Sequence, residues 1–106
     1  MNSKVCYGKT FLENIDFQDT NIKNPIELRY YRIKNKRRYF FNKKDISYGI
    51  EVVKKEYNGK RIRIEKETIE KISDKKITID FILEKLQKFQ VTPICLKEVV
   101  HDMTHS

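Results

Sequence analysis

The period of the apolar residues changes once along this chain, near Ile72, and this change constrains the fold more than any other feature. Before that point apolar and polar residues alternate, which is typical of strands with one buried face. After it, apolar residues recur about every 3.6 positions, as on an amphipathic helix. Strands followed by helices indicate an α+β fold. We expect an antiparallel sheet of four or five strands, arranged as hairpins or a meander, followed by two C-terminal helices packed on one face.

The clearest predicted hairpin joins residues 48–52 to residues 62–64, with an Asn-Gly turn dipeptide between them. A two-residue loop would place the apolar side chains of the two strands on opposite faces of the sheet. A three-residue loop over residues 57–59 shifts the register by one and places Val52 opposite Ile64 on a common face. We therefore expect the three-residue loop, with its glycine in the left-handed conformation as a bulge.

A second hairpin is predicted upstream, because residues 28–33 and 38–41 are rich in Tyr, Phe and Ile and flank a polar turn at residues 34–37. Residues 5–12 are compatible with a further strand, and residues 13–25, which contain several Asp and Asn, indicate a loop. Alternation along the hairpin predicts a buried face made of Tyr31, Ile33, Tyr39 and Phe41. The sequence leaves open which of the rings Tyr30, Tyr31, Tyr39, Phe40 and Phe41 face the core and which face solvent.

The first predicted helix begins with Thr78 as its N-cap, has Asp80 in its first turn, and packs Ile77 against Ile82 across the cap. Its apolar stripe comprises Ile79, Ile82, Leu83, Leu86 and Phe89.

The second predicted helix begins with Thr92 as its N-cap and Pro93 at its first position, and packs Val91 against Leu96. Its buried face would comprise Ile94, Val99, Val100 and Met103. Residues 104–106 are expected to fray, so the chain is interpreted as one small α+β domain over residues 1–106.

Three short segments carry a resemblance to a known family: residues 47–52, the Ile-rich residues 62–72, and residues 91–94 leading into Leu96. Over about the last sixty residues the chain resembles a family of short uncharacterised proteins found mainly in spore-forming clostridia. The resemblance implies a cytoplasmic bacterial protein connected with sporulation or its regulation. It implies no catalytic residues, because the family has no established activity.

Few residues are arranged for catalysis. His101 and His105 lie at the C-terminal end and, with Glu98, form only a fragment of a metal-ligand set, so a solvated tail is expected. Cys95 and His101 lie six positions apart on one helix, about 120° around its axis, which favours a buried structural thiol over a nucleophile and base. Cys6 and Cys95 are expected to be reduced.

Other enzyme classes lack their motifs as well. The three glycines cannot form a phosphate-binding loop, and Glu65 and Glu67 lie among basic residues that predict ordinary ion pairs. We expect no enzymatic activity, no metal and no cofactor. The sequence has no apolar run of about 18 residues, and its first 17 residues lack the pattern of a secretory signal, so a soluble cytoplasmic protein without membrane contact is expected.

The net charge of +8 comes from one segment, because residues 28–44 contain no acid and the rest of the chain holds equal numbers of acidic and basic side chains. A local excess creates a potential that attracts anionic partners. We expect this segment to bind the acidic surface of another protein, with nucleic acid as the alternative partner. Self-association into a homodimer through a sheet edge is also expected to be possible. The predicted binding residues are Arg29, Arg32, Lys34, Lys36, Arg37, Arg38, Lys43 and Lys44.

Overall fold

A computed structural model describes residues 2–12, 24–38 and 44–105. Four strands, β1 (Asn2–Leu12), β2 (Ile26–Arg38), β3 (Lys44–Asn58) and β4 (Arg61–Ser73), form one antiparallel sheet in the order β1-β2-β3-β4. They precede helix α1 (Lys76–Lys88), a 3₁₀ turn (Pro93–Cys95) and helix α2 (Leu96–Thr104). The predicted α+β fold is confirmed. Most of the predicted loop at residues 13–25 lies outside the described residues, and the predicted fraying of residues 104–106 stays a prediction.

The hydrophobic core lies between one face of the sheet and the helices. Alternate residues of β2 and β3 point to this face, and a single stripe of α1 packs on them. Three further apolar residues, from the segment after α1 and from α2, close the core. Its buried members are Ile26, Leu28, Tyr30, Ile50, Val52, Ile79, Ile82, Leu83, Leu86, Val91, Leu96 and Val100.

The strands extend well beyond the helices that cover them. The 15 residues of β3 span about 50 Å, whereas the 13 residues of α1 span about 20 Å. The protein accordingly measures 57 × 34 × 17 Å. No helix of the described chain packs on the opposite face of the sheet, where Phe11, Ile62 and Ile64 are more than half exposed. We call this surface the open face.

The predicted turn at residues 34–37 is wrong, because β2 continues through these residues to Arg38. Lys34 pairs with Tyr48 and Lys36 pairs with Ile46 in an uninterrupted antiparallel ladder. The segment has no glycine to favour a tight turn, and its backbone pairs with β3 throughout and with β1 as far as Asn35. Polar residues are tolerated here because this end of the hairpin extends past the helices.

The hairpin of β3 and β4 is confirmed, but its predicted loop is wrong. Asn58 pairs with Arg61, which leaves the two-residue loop of Gly59 and Lys60, and Gly59 has a φ of 60°. A glycine with positive φ at the first loop position is typical of a type II′ turn. Val52 consequently lies opposite Glu67 and not Ile64.

The buried stripe of α1 is confirmed except at Phe89, but the predicted N-cap at Thr78 and the predicted place of Asp80 in the first turn are wrong. The helix begins at Lys76, two residues before Thr78, because the Ser73 hydroxyl accepts the backbone N–H of Lys75 and turns the chain earlier. Ile77 is therefore 79% exposed and cannot pack across the cap. Phe89 is also exposed, since the helix ends there and the chain reverses at the next residue.

The second helical segment begins as predicted at Thr92 and Pro93, but with a 3₁₀ turn before α2. This tighter turn rotates Ile94 into solvent, where it is 86% exposed, so its predicted burial is wrong. Val100 is buried as predicted, and Val99 and Met103 pack against the core.

Candidate functional site

The end of the β2–β3 hairpin carries most of the basic segment. The pairing of β1 with β2 ends at Asn35, and the pairing of β4 with β3 ends at Tyr48. Beyond these positions, in the described chain, β2 and β3 pair only with each other. We call residues 34–38 with residues 44–48 the basic arm. Its outer part, residues 36–38 with residues 44–47, is a two-stranded extension from the body of the sheet.

Two of the eight predicted binding residues lie outside the basic arm and are paired within the protein. Arg32 points to the helix side and donates to Asp80 of α1 at 2.7 Å. Arg29 lies on the open face and pairs with Glu27. Hydrogen bonds with Tyr31 and then with Glu27 raise the pKa of Arg29 above its ordinary value. Both guanidinium groups therefore contribute to the fold and are less available to a partner.

Five of the predicted residues lie on the basic arm: Lys34, Lys36, Arg37, Arg38 and Lys44. Lys34 is half-buried and Lys36 is exposed. The backbone register places Arg37 opposite Asp45, and Arg38 opposite Lys44. Lys43, the remaining predicted residue, lies outside the described residues. The structure thus gathers the basic positions along a short ribbon.

The aromatic residues of this segment are not arranged on the same surface. Tyr30 is fully buried in the core, where its hydroxyl donates to the carbonyl oxygen of Val91 at 3.0 Å. Tyr31 lies on the open face, with the Lys4 ammonium 4.7 Å from its ring centroid. The predicted core face is therefore wrong in its parity. Tyr30 lies in the core, Tyr31 lies on the open face, and Ile33 is buried but outside the core cluster. The predicted core positions Tyr39 and Phe41, together with Phe40, lie outside the described residues.

A buried acid on the open face was missed by the sequence reasoning. Glu51 is 7% exposed, and its carboxylate accepts from Lys4 at 3.1 Å and from the Thr68 hydroxyl at 2.9 Å. These contacts join β1, β3 and β4. Glu51 follows the alternation of β3, so its orientation was predictable, but its partners are 47 and 17 residues away. With its oxygens already engaged, the carboxylate has a structural role.

The two histidines considered as metal ligands lie next to each other at the end of α2. The rings of His101 and His105 stack with centroids 4.2 Å apart, beside a groove of about 830 Å³ between β4 and α2. In the described part of the chain, no three His, Cys, Asp or Glu side chains converge as metal ligands. Cys6 and Cys95 are both free and exposed, so the predicted burial of Cys95 is wrong. The 3₁₀ turn that exposes Ile94 also exposes this thiol.

The model of a family of unknown function (DUF6514) matches residues 9–106. The chain belongs to this family. The DUF6514 match includes the basic arm and is therefore wider than the predicted C-terminal resemblance. Comparisons with curated proteins and with solved structures found no match. Among the described residues, no helix is long and apolar enough to cross a membrane.

Proposed function

We propose that this protein is a non-catalytic binding module that docks on an acidic surface of another protein through the basic arm. The proposal includes a cytoplasmic setting and a regulatory role connected with sporulation, both of which derive from the resemblance to clostridial proteins. The observation that carries it is the basic arm itself, whose residues 34–38 and 44–48 include five basic residues and one acid, Asp45. Such a concentration of one charge steers an oppositely charged partner and favours a specific orientation.

Arg29 is paired with Glu27, and Arg32 is paired with Asp80. The predicted binding surface is therefore reduced to the basic arm. A carboxylate partner competing for either arginine would have to displace an acid that already holds it. Lys34 still pairs with Ser3 of β1, but the other basic positions of the arm lie beyond the flanking strands. A partner can therefore approach them without disturbing the core.

The described aromatic rings do not favour single-stranded nucleic acid as the partner of this surface. Such binding combines cations with aromatic rings on which bases stack. Tyr30 is buried and Tyr31 lies against Lys4 on the open face, so neither ring offers a platform beside Lys34 or Lys36. Duplex DNA is the second candidate, because a two-stranded β-ribbon of this kind fits the major groove.

The experiment compares two triple charge reversals with the same change in net charge. The arm variant is Lys36→Glu, Arg37→Glu, Arg38→Glu, and its control is Lys9→Glu, Lys60→Glu, Lys88→Glu, at three exposed positions off the arm. Both variants should fold, since Lys36 and the three control lysines are exposed, and Arg37 and Arg38 lie in the part of β2 that pairs only with β3. Circular dichroism and thermal unfolding check this requirement.

Partners are captured from a lysate of the source organism with the wild type and both variants. We expect a protein that is retained by the wild type and the control but lost with the arm variant. In parallel, random-sequence duplex DNA and single-stranded RNA are titrated over a salt series. Tight binding of duplex DNA with a steep salt slope, abolished only in the arm variant, would favour the second candidate. Equal retention by all three proteins would contradict a role for the arm.

A further inference from the structure

The sheet has two outer edges, β1 and β4, and they differ in how they could pair with another strand. An edge strand presents unpaired backbone groups that can hydrogen-bond to a strand of a second chain. The β1 edge is interrupted by an irregularity between Cys6 and Gly8, and its only charged residues are Lys4 and Lys9. β4 has 13 residues of mixed charge, and its first four, 61–64, are all exposed.

We propose that β4 pairs with β4 of a second copy of this chain, antiparallel, about a two-fold axis at Ile64. The two four-stranded sheets would then form one continuous sheet of eight strands. This interface is independent of the basic arm, which lies at the opposite end of the hairpins. A C2 dimer of this kind is closed, because the two copies use the same edge.

The charges of β4 complement each other in this register. With the axis at Ile64, each Arg63 lies opposite Glu65 of the other copy, and each Arg61 lies opposite Glu67. Directly opposed residues share a face of the sheet, and opposite charges at such positions stabilise the pairing. The two-fold symmetry makes four such pairs across the interface. Within one copy Glu65 already contacts Arg63 at 3.6 Å and Glu67 contacts Lys97 at 3.3 Å, so each carboxylate would share its two oxygens between the two contacts.

The neighbouring registers oppose like charges. An axis at Arg63 would place two arginines against each other, and an axis at Glu65 would place two carboxylates against each other. Like charges directly opposed destabilise a sheet. The axis at Ile64 is therefore the favourable choice in the exposed half of the strand.

The strongest rival register places the axis at Thr68, where Glu70 would oppose Lys66 and Lys71 would oppose Glu65. The strand is less regular there, because the register with β3 shifts between Tyr48 and Ile50. The Glu70 carbonyl also accepts from the Asn35 side chain at 2.6 Å. These features favour the axis at Ile64, and the first experiment below separates the two.

The apolar residues on the open face support the same choice. Ile62 and Ile64 are each 58% exposed. At this axis Ile64 packs against its own copy, and Ile62 lies against the aliphatic part of Lys66. Dimerisation would remove exposed apolar surface that the fold itself leaves uncovered.

The first experiment is a cross-linking comparison in the full chain, with Cys6→Ser and Cys95→Ser to remove the exposed thiols. Residues opposed in an antiparallel pair have Cα atoms about 4.5–5.5 Å apart, within the range of a disulfide. We expect Ile64→Cys to give an oxidised dimer. Ile62→Cys should give no oxidised dimer, because residue 62 of the other copy lies four positions away along the strand. A dimer from Thr68→Cys in place of Ile64→Cys would overturn the register.

The second experiment uses sedimentation equilibrium on two variants that differ only in their place relative to the axis. Ile64→Asp sets two carboxylates against each other, so the dimer Kd should rise at least about tenfold. Ile62→Asp sets a carboxylate opposite Lys66 and should change the Kd by less than about threefold. Thermal unfolding of both variants excludes misfolding. A monomeric wild type at millimolar concentration, open-ended growth beyond a dimer, or equal effects of both variants would overturn the proposal.

Discussion

The hydroxyl of Tyr30 donates a hydrogen bond of 3.0 Å to the carbonyl oxygen of Val91, across the core from β2 to the segment that joins the two helical parts. Tyr30 is fully buried and Val91 is 9% exposed. A buried carbonyl outside regular structure would otherwise lack a partner. This bond therefore fixes where the chain leaves α1 and returns over the sheet.

Replacing Tyr30 with Phe tests that relationship. The ring and its packing are retained, whereas the Val91 carbonyl loses its donor, so the free energy of unfolding should fall by about 1–2 kcal/mol. Urea denaturation monitored by circular dichroism measures the change. Tyr31→Phe is the control. Its hydroxyl hydrogen-bonds with Arg29 on the half-buried open face, where water can replace that bond, so the effect should be smaller. Equal losses in the two variants would mean that the Val91 contact contributes little.

The same tyrosine predicts a loss of stability at alkaline pH. Burial raises the pKa of Tyr30 to about 12, because the phenolate is poorly solvated in the core. In the unfolded chain a tyrosine titrates near pH 10. The neutral Tyr30 hydroxyl therefore makes its full contribution to the free energy of unfolding below about pH 10. This contribution is lost as the pH rises to about 12.

Urea midpoints of the wild type and Tyr30→Phe, measured at intervals from pH 8 to pH 12, isolate this effect because the other titrating groups are common to both. The difference in stability should shrink above about pH 10. A constant difference over the whole range would show that Tyr30 ionises as readily in the folded protein as in the unfolded chain.

The end of α1 predicts a stabilising substitution. Gln90 has a φ of 54°, and the N–H of Val91 donates to the carbonyl of Leu86 at 2.9 Å, the pattern of a Schellman motif. A non-glycine residue in this left-handed conformation costs about 1–2 kcal/mol. Glycine avoids this strain, but it loses more conformational entropy on folding, so only part of the cost is regained. Gln90→Gly should raise the free energy of unfolding by about 0.5–1 kcal/mol. Gln90→Ala, which keeps a Cβ, should leave the urea midpoint nearly unchanged.

Element types were predictable because they depend on local periodicity. The stripe of Ile79, Leu83 and Leu86 follows from spacing alone, and its burial is observed. The α+β order of the chain follows in the same way. These features need no knowledge of which elements become neighbours.

Register and strand length were not predictable, because they depend on distant partners. The loop prediction assumed that Val52 and Ile64 share a buried face, but the helices do not reach that end of the sheet, so burial does not fix the register there. Similarly, Arg32 meets Asp80 from 48 residues away. Charge counting located the basic segment, but only the fold shows which of its cations are already paired.

The glycines of the sheet give a final prediction, in which two similar substitutions should differ. A Cβ on Gly49 would overlap the backbone carbonyl oxygens of Ile69 and Glu70, at the position where the register of β3 and β4 shifts. A Cβ on Gly8 would overlap only the side-chain amide of Gln87, which can rotate away. Gly49→Ala should lower the free energy of unfolding by about 2–4 kcal/mol, because two strands must separate locally to admit the methyl group. Gly8→Ala should cost about 1 kcal/mol or less.

Urea denaturation of the two alanine variants measures this difference, and hydrogen exchange of the β3 and β4 amides locates it. Combining Gly8→Ala with Gln87→Ala should remove the remaining cost at Gly8, since the overlapping group is then absent. No such rescue is expected for Gly49→Ala, because its neighbours are backbone atoms. If both glycines tolerate alanine equally, the close approach of β3 and β4 at Gly49 is not required for the fold.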